Sequence, residues 1–189
     1  MARVSENRQV QKTRTALLDA FGRLLLQRGY AGIRIAEVIR QANVGRSTFY
    51  EHFRSKEDLL RQSLCRFLDS LADAIAETAD ISKLTFVLEH FRDNARTARG
   101  LINGPSASEV VAVLASLIEK RLAAMHAASS RAPAISLELA SLQAAESELG
   151  LIRAWLNRGA SIPAAGVAKA MHETARASAR ALFGRQEQR

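Results

Sequence analysis

The stretch Ile33-Arg34-Ile35-Ala36-Glu37-Val38-Ile39-Arg40-Gln41-Ala42-Asn43-Val44-Gly45-Arg46-Ser47-Thr48-Phe49-Tyr50-Glu51-His52-Phe53-Arg54-Ser55-Lys56-Glu57-Asp58-Leu59-Leu60 decides the fold. Ile35, Val38, Ile39 and Ala42 recur at the spacing of one helical face. Asn43-Val44-Gly45 interrupts that face with the two residue types that best tolerate positive φ, so the chain can reverse sharply there. Val44, apolar between them, is placed to plug the corner. A second short helix runs from Arg46 to about His52, with Phe49 and Phe53 four apart as its buried anchors. Its other side carries Arg46, Ser47, Thr48, Tyr50 and His52. Ser55 ahead of Lys56-Glu57-Asp58 reads as the N-cap of a third helix with two acids in its first turn. Two short helices around a tight turn, the second bearing hydrogen-bond donors on its outer side, make a helix-turn-helix. Such a motif sets its second helix in the major groove of DNA.

Upstream, residues 1 to 7 read as a flexible arm. A helix from about Gln9 to Arg28 carries the stripe Leu17, Phe21, Leu24 and Leu25. Gly29-Tyr30-Ala31-Gly32 ends it. Downstream, Leu60, Leu64, Phe67, Leu68, Leu71 and Ile75 predict one helix from Lys56 to about Thr78, with a break at Ile81-Ser82-Lys83. Leu84, Val87, Leu88, Phe91 and Ala95 mark the next helix. A short one over Arg96 to Ile102 is stopped by Asn103-Gly104-Pro105. A long helix then starts after Ser106, lined by Val110, Leu114, Leu117, Ile118 and Met125.

The helix expected over Ala134 to Asn157 has two apolar columns. One is Ile135, Leu142, Leu149 and Leu156; the other is Leu137, Ala144, Leu151 and Trp155. A single core needs one apolar stripe, so a second implies another packing partner. Glu146 and Glu148 interrupt these columns. They are open to three roles, as ligand partners, subunit-interface charges or solvated rim, of which the last two are preferred. After Pro163 the final helix is dense in alanine and serine, with Val167, Met171 and Leu182 as its larger contacts. The expected fold is all-α with about nine helices. A three-helix head occupies residues 1–55, and a helical body occupies residues 56–189.

The 189 residues carry a formal net charge of +8. The first 60 hold eleven Lys/Arg against six Asp/Glu, and the remainder hold sixteen against thirteen. A basic first third suits a phosphate-binding surface. No apolar signal region opens the chain and no long apolar run crosses a bilayer, so a cytoplasmic, membrane-free protein is expected. Cys65 is the sole cysteine, which excludes an intrachain disulfide.

His52, His90, His126 and His172 fall on four different predicted helices without a ligand-spaced partner, so no metal site is expected. There is no Gly-rich phosphate loop, serine elbow or carboxylate pair at catalytic spacing. Neither an enzyme nor a bound cofactor is expected.

The segment Ala42-Asn43-Val44-Gly45, Thr48-Phe49-Tyr50-Glu51-His52-Phe53 and Ser55-Lys56-Glu57-Asp58-Leu59-Leu60 resembles the N-terminal domain of tetracycline-repressor-type (TetR family) transcriptional regulators. Departures from that pattern are Arg34 where a capping Thr or Ser is usual, the bulky Ile39, Asn43 in place of the turn glycine, and Gly45 before the second helix. The resemblance implies a homodimeric, ligand-responsive repressor of a palindromic DNA operator, whose last two helices form a four-helix bundle with the partner's. It assigns Thr48, Tyr50 and Lys56 to phosphate or base contact; Arg46, Ser47 and His52 share their exposed side. Arg46 is open to either a base or a phosphate. Ile135, Leu142 and Leu149, or the column from Leu137 to Leu151, would form the dimer interface with Val167 and Met171. Phe67, Phe91, Met125 and Trp155 would line a pocket for an apolar or aromatic effector. The alternative is a DNA-binding regulator that is constitutive or protein-regulated, which a body without a cavity would favour.

Overall fold

The computed structural model describes residues 2–129 and 131–184, with side chains from residue 8 onward. Among them are nine α-helices and no strand: α1 (Ala2–Arg28), α2 (Ile35–Ala42), α3 (Arg46–His52), α4 (Lys56–Ala72), α5 (Ile81–Asp93), α6 (Ala95–Asn103), α7 (Ala107–Ala127), α8 (Leu137–Asn157) and α9 (Ala164–Leu182). Short 3-10 turns follow α1 at Tyr30–Gly32 and α4 at Asp73–Ile75. No single described helix is long and apolar enough to cross a membrane. The last residues, Gln186 to Arg189, read from the sequence as a frayed tail and lie outside the described residues.

The chain divides into two units, Met1–Leu64 and Cys65–Arg189. The division falls inside α4 rather than at residue 55, because Leu59 and Leu60 at the start of α4 are fully buried with the head's core residues. That core is Leu17, Phe21, Val38, Phe49 and Phe53, the apolar positions that periodicity picks out. α1 begins at Ala2, so the expected arm over residues 1 to 7 is helical from its second residue. Gly29, at φ 69°, closes α1 in a conformation that favours glycine.

In the second unit, α7 packs along α8, α5 along α9, and α6 against α7 and α8. α4 stops at Ala72 instead of about Thr78; the 3-10 turn that follows still buries Ile75. The expected break at Ile81–Lys83 is the first turn of α5. Asp80 makes it so, because its carboxylate accepts from the backbone N–H groups of Ser82 and Lys83. Arg121 on α7 ties this unit together. Its guanidinium bonds Asp73 at 2.7 Å, the Asp69 carboxylate at 2.9 Å and the Asp69 and Leu117 carbonyls at 3.0 Å.

Neither apolar column of α8 faces one way along its length. Leu142 is exposed while Leu149 and Leu156 of the same column are buried; Leu151 is exposed in a column that also holds buried Trp155. A straight helix drifts by ~20° per heptad against a seven-residue repeat, so over three heptads a column swings by about 60°. The first column thus turns from solvent at Leu142 into the core at Leu149 and Leu156. Leu149, Val167 and Met171, expected at a subunit interface, are each no more than 3% exposed within the protomer. Ile135 precedes α8 and is exposed with Leu142.

Candidate functional site

The head is built to hold α3 outward. α2 starts at Arg34, whose side chain accepts no capping bond. The reciprocal bond replaces it, since the Glu37 carboxylate accepts from the Arg34 backbone N–H at 3.1 Å. That hydrogen bond, then the Arg28 guanidinium, hold the Glu37 carboxyl below the usual range despite opposing desolvation. Asn43 adopts the left-handed conformation at φ 54°, as the turn requires. Gly45 opens α3 in extended backbone without a side-chain cap. Phe49 and Phe53 anchor α3, at 0% and 1% exposure.

Opposite those anchors, Arg46, Ser47 and Tyr50 are exposed, and Thr48 and His52 are half-buried. The Arg46 guanidinium sits 5.9 Å from the centre of the Tyr50 ring. Stacking of this kind sets an aromatic hydroxyl and a cation side by side on one helical face. Arg14 of α1 lies over the Phe53 ring at 5.7 Å, which brings another cation of the basic head to the end of α3.

Lys56 is half-buried rather than displayed. Its ammonium donates to the carbonyl oxygens of Tyr30 at 3.3 Å and Ile33 at 3.2 Å, and lies 4.3 Å from the centre of the Tyr30 ring. It therefore clamps the α1–α2 connection to the start of α4. An ammonium has three donors, and two are used here. The Ser55 hydroxyl accepts from the Asp58 backbone N–H at 3.2 Å, the N-cap that the sequence predicts.

The body holds a cavity of about 520 Å³, which is not the one expected from the large apolar residues. None of Phe67, Phe91, Met125 or Trp155 lines it. Phe67 is exposed and stacks on His90 with centroids 5.2 Å apart. Trp155 is buried, with its indole N–H bound to the Ile162 carbonyl at 2.8 Å where the chain turns from α8 to α9. Phe91 and Met125 are half-buried on α5 and α7.

The cavity lies instead between α8 and α9, floored by Ile75, Leu122 and Met171. Glu148 also lines it and is 4% exposed, so it is not rim. Both of its carboxyl oxygens are buried without a hydrogen-bond partner. Burial pushes this carboxyl up to about 8, against an opposing pull from Arg121. The sequence signal was a lone glutamate inside an apolar column, which favoured no single role. Among the described residues, no group of three or more His, Cys, Asp or Glu side chains is placed to hold a metal ion.

A trihelical head presenting donors from the second helix of a helix-turn-helix has the architecture of a DNA-binding module. Residues 17–62 match the family described as bacterial regulatory proteins, tetR family. The chain is 40% identical over 68 residues to the uncharacterised HTH-type transcriptional regulator YxbF of Bacillus subtilis (strain 168), covering 35% of this chain and 18% of that protein. It is 34% identical over 67 residues to the HTH-type transcriptional regulator AlkX of Mycobacterium tuberculosis (strain ATCC 25618 / H37Rv), covering 35% and 32%. The matches thus span a third or less of those relatives' own length. A TetR transcriptional regulator from Streptococcus agalactiae 2603V is similar over 92% of this chain and 98% of its own, with a TM-score of 0.55 and 26% identity. RolR without ligand shares the fold at a TM-score of 0.53 and 23% identity, over 87% and 95% of the two chains. Residues 17–62 thus carry the tetR-family match, and the fold of the whole chain is similar to that of a solved TetR regulator.

Proposed function

We propose that the protein is a homodimeric, ligand-responsive repressor that acts in the cytoplasm and releases a palindromic operator when a small molecule occupies its body. The observation that carries the DNA-binding part is the outward face of α3, where Arg46, Ser47 and Tyr50 are exposed on a helix anchored from behind by Phe49 and Phe53. Two such heads would enter successive major grooves at half-sites about 34–36 Å apart, or a multiple of it. Phosphate contacts from the basic head would supply most of the affinity, and base contacts from α3 the specificity.

The cavity in the body supports a small-molecule effector over constitutive or protein-controlled binding. Its volume suits a drug-sized ligand, and its walls are mostly apolar with few polar groups, the usual make-up of such sites. An effector controls DNA binding only through its differential affinity for two states of the protein. α4 supplies buried residues to both units, Leu59 and Leu60 to the first and Leu68 and Leu71 to the second, and is the element proposed to link those states.

A homodimer is supported by Leu139 and Leu142, large apolar residues left 55% and 45% exposed on α8. The small exposed residues of α9, such as Ala165, Ala170 and Ala177, would let a partner helix approach closely.

Binding-site selection from random duplexes, followed by affinity measurement at several salt concentrations, tests the proposal. The expected result is an inverted repeat bound with a steep salt dependence. Recovery of no sequence preference, or of an unpaired half-site bound by a monomer, refutes it.

A further inference from the structure

The body cavity contains a group that its apolar walls do not explain. Glu148 projects from α8 into it, almost wholly buried, and neither carboxyl oxygen has a partner. A buried polar group left unpaired is costly, and a buried charge left unpaired costs far more. The surrounding residues do not relieve it. Arg121 is the nearby cation, but its guanidinium is committed to Asp69, Asp73 and the Leu117 carbonyl. On α9 the Thr174 hydroxyl donates to the Ala170 and Met171 carbonyls, and the ring of His172 is 2.9 Å from the Ala74 carbonyl. Within the single protomer the mouth is open, since Gln143, Ser147 and Ser178 on the lining are exposed.

We propose that this cavity binds a small, mainly apolar amine, with its protonated nitrogen held by the Glu148 carboxylate and its hydrocarbon part against Ile75, Leu122 and Met171. The inference rests on the reading that the body takes a small effector, and it names that effector's chemical class. Other classes fit the carboxyl less well. A hydrocarbon leaves both oxygens unpaired. A carboxylic acid places a second acid beside the first. An alcohol supplies one neutral donor, whereas an ammonium supplies several donors together with the compensating charge. A buried carboxylate without a matching cation is strongly disfavoured, and Arg121 is already held by Asp69 and Asp73.

The proton balance follows from the site. The empty pocket holds Glu148 protonated at neutral pH, because burial disfavours its charge and Arg121 offsets only part of that. An amine enters as its ammonium ion, Glu148 becomes a carboxylate, and the proton goes to the buffer. The charged groups nearest this carboxyl are Arg121 and the two acids bound to it, Asp69 and Asp73, while α9 adds no titratable side chain to the lining.

The experiment is calorimetric titration of the full chain, without DNA, with benzylamine, 4-phenylbutylamine, 4-phenylbutan-1-ol and 4-phenylbutyric acid. The expected result is that 4-phenylbutylamine binds at least ten-fold tighter than its alcohol, releases a proton, and loses ten-fold or more in the isosteric variant Glu148→Gln, while the acid fails to bind. A second variant, Ala144→Trp, fills the mouth and is expected to abolish amine and alcohol binding alike. Equal binding of amine and alcohol, equal binding to wild type and Glu148→Gln, or no binding of either amine to the folded protein overturns the proposal. So does a Glu148→Gln variant that changes the dimerisation constant and leaves amine binding untouched, since the carboxyl would then belong to a subunit contact. Operator displacement is read separately. Glu148-dependent amine binding that leaves the operator bound keeps this site and removes the ligand-responsive reading instead.

Discussion

The Lys56 ammonium lies 3.3 Å from the carbonyl oxygen of Tyr30 and 4.3 Å from the centre of the same residue's ring. One side chain thereby closes the loop between α1 and α2 onto the start of α4, with a second bond to the Ile33 carbonyl at 3.2 Å. The clamp is half-buried, so screening by water is incomplete.

Lys56→Ala is expected to destabilise the head by about 1–3 kcal/mol, the worth of charge-assisted hydrogen bonds left unmade. The remaining N–H is available to a phosphate, so the same variant is expected to weaken binding to all sequences alike and lower the salt slope by ~1. Urea unfolding and a salt titration of DNA affinity measure the two effects on one sample. An unchanged unfolding midpoint would remove the clamp; an unchanged slope would remove the phosphate contact.

Arg46 and Tyr50 are expected to act as a pair on the exposed face of α3, given the guanidinium 5.9 Å from the ring. Tyr50→Phe removes only the hydroxyl and is expected to cost about 1 kcal/mol in operator binding, close to one hydrogen bond. Arg46→Ala is expected to cost more, because it loses both a charge and the stacking. Repeating binding-site selection with Arg46→Ala separates its two possible targets. A relaxed preference at one base pair marks base readout, and a uniform loss marks phosphate contact.

The head was legible because its signals are local. Asn43 in the left-handed conformation, Ser55 as a cap, and Phe49 and Phe53 as anchors each follow from residue type and spacing. Lys56 was legible as one cation of a basic head but not as a clamp, because its acceptors are backbone carbonyls 26 and 23 residues away, which any residue would supply. In the body the helices were placed, but their facing was not. Seven-residue columns on α8 hid the drift that buries Leu149 and exposes Leu142. Large apolar residues do not mark the pocket walls, since Trp155 is core and Phe67 is surface. The cavity forms where the facing side chains are small, at Ala140, Ala144, Ala175 and Ala179, and an alanine-rich face gives no sign of whether its neighbour approaches or stands off. Arg121 bridging Asp69 and Asp73 joins residues about fifty positions apart, beyond any local pattern.

Glu148 should give stability an inverse dependence on pH. Its folded carboxyl titrates at about 8, above the ordinary 4.5 of the unfolded chain. Between those values the folded state holds a proton that the unfolded state has lost, so stability falls as pH rises from about 4.5 and levels off above about 8. Each pH unit of that window is worth up to about 1.4 kcal/mol, giving a total of a few kcal/mol. The charge acting on it from α7 is Arg121, held by Asp69 and Asp73, and α9 adds no titratable side chain to the cavity lining. Glu148→Gln removes the linkage, so the variant is expected to gain on wild type progressively across pH 5.5, 7 and 8.5 in urea unfolding. A constant difference across those three values would mean that the carboxyl is ionised in the folded state throughout.

The subunit interface can be tested on residues whose exposure is known. Leu149→Glu is unsuitable, since Leu149 is 1% exposed and a charge there would unfold the protomer whatever its oligomeric state. Leu139 and Leu142 are 55% and 45% exposed, three residues apart on one side of α8. Neither leucine lines the cavity, and Leu139, about two and a half turns before Glu148, points away from that carboxyl. Charging these two leucines therefore probes association at residues outside the cavity lining. A stable interface of this kind buries more than ~2,000 Å² in total, and each leucine fully covered contributes about 1.5–3 kcal/mol. The pair Leu139→Glu and Leu142→Glu is accordingly expected to weaken dimerisation by a hundred-fold or more while leaving the helical signal and the unfolding cooperativity of the monomer intact. Sedimentation at micromolar concentration reads the first and circular dichroism the second. The charged variant should also lose cooperative binding to an inverted repeat while keeping weak binding to a half-site, because a two-fold protein is what a two-fold operator requires. A dimer unaffected by both charges would move the interface off this side of α8, to the face that carries Leu151.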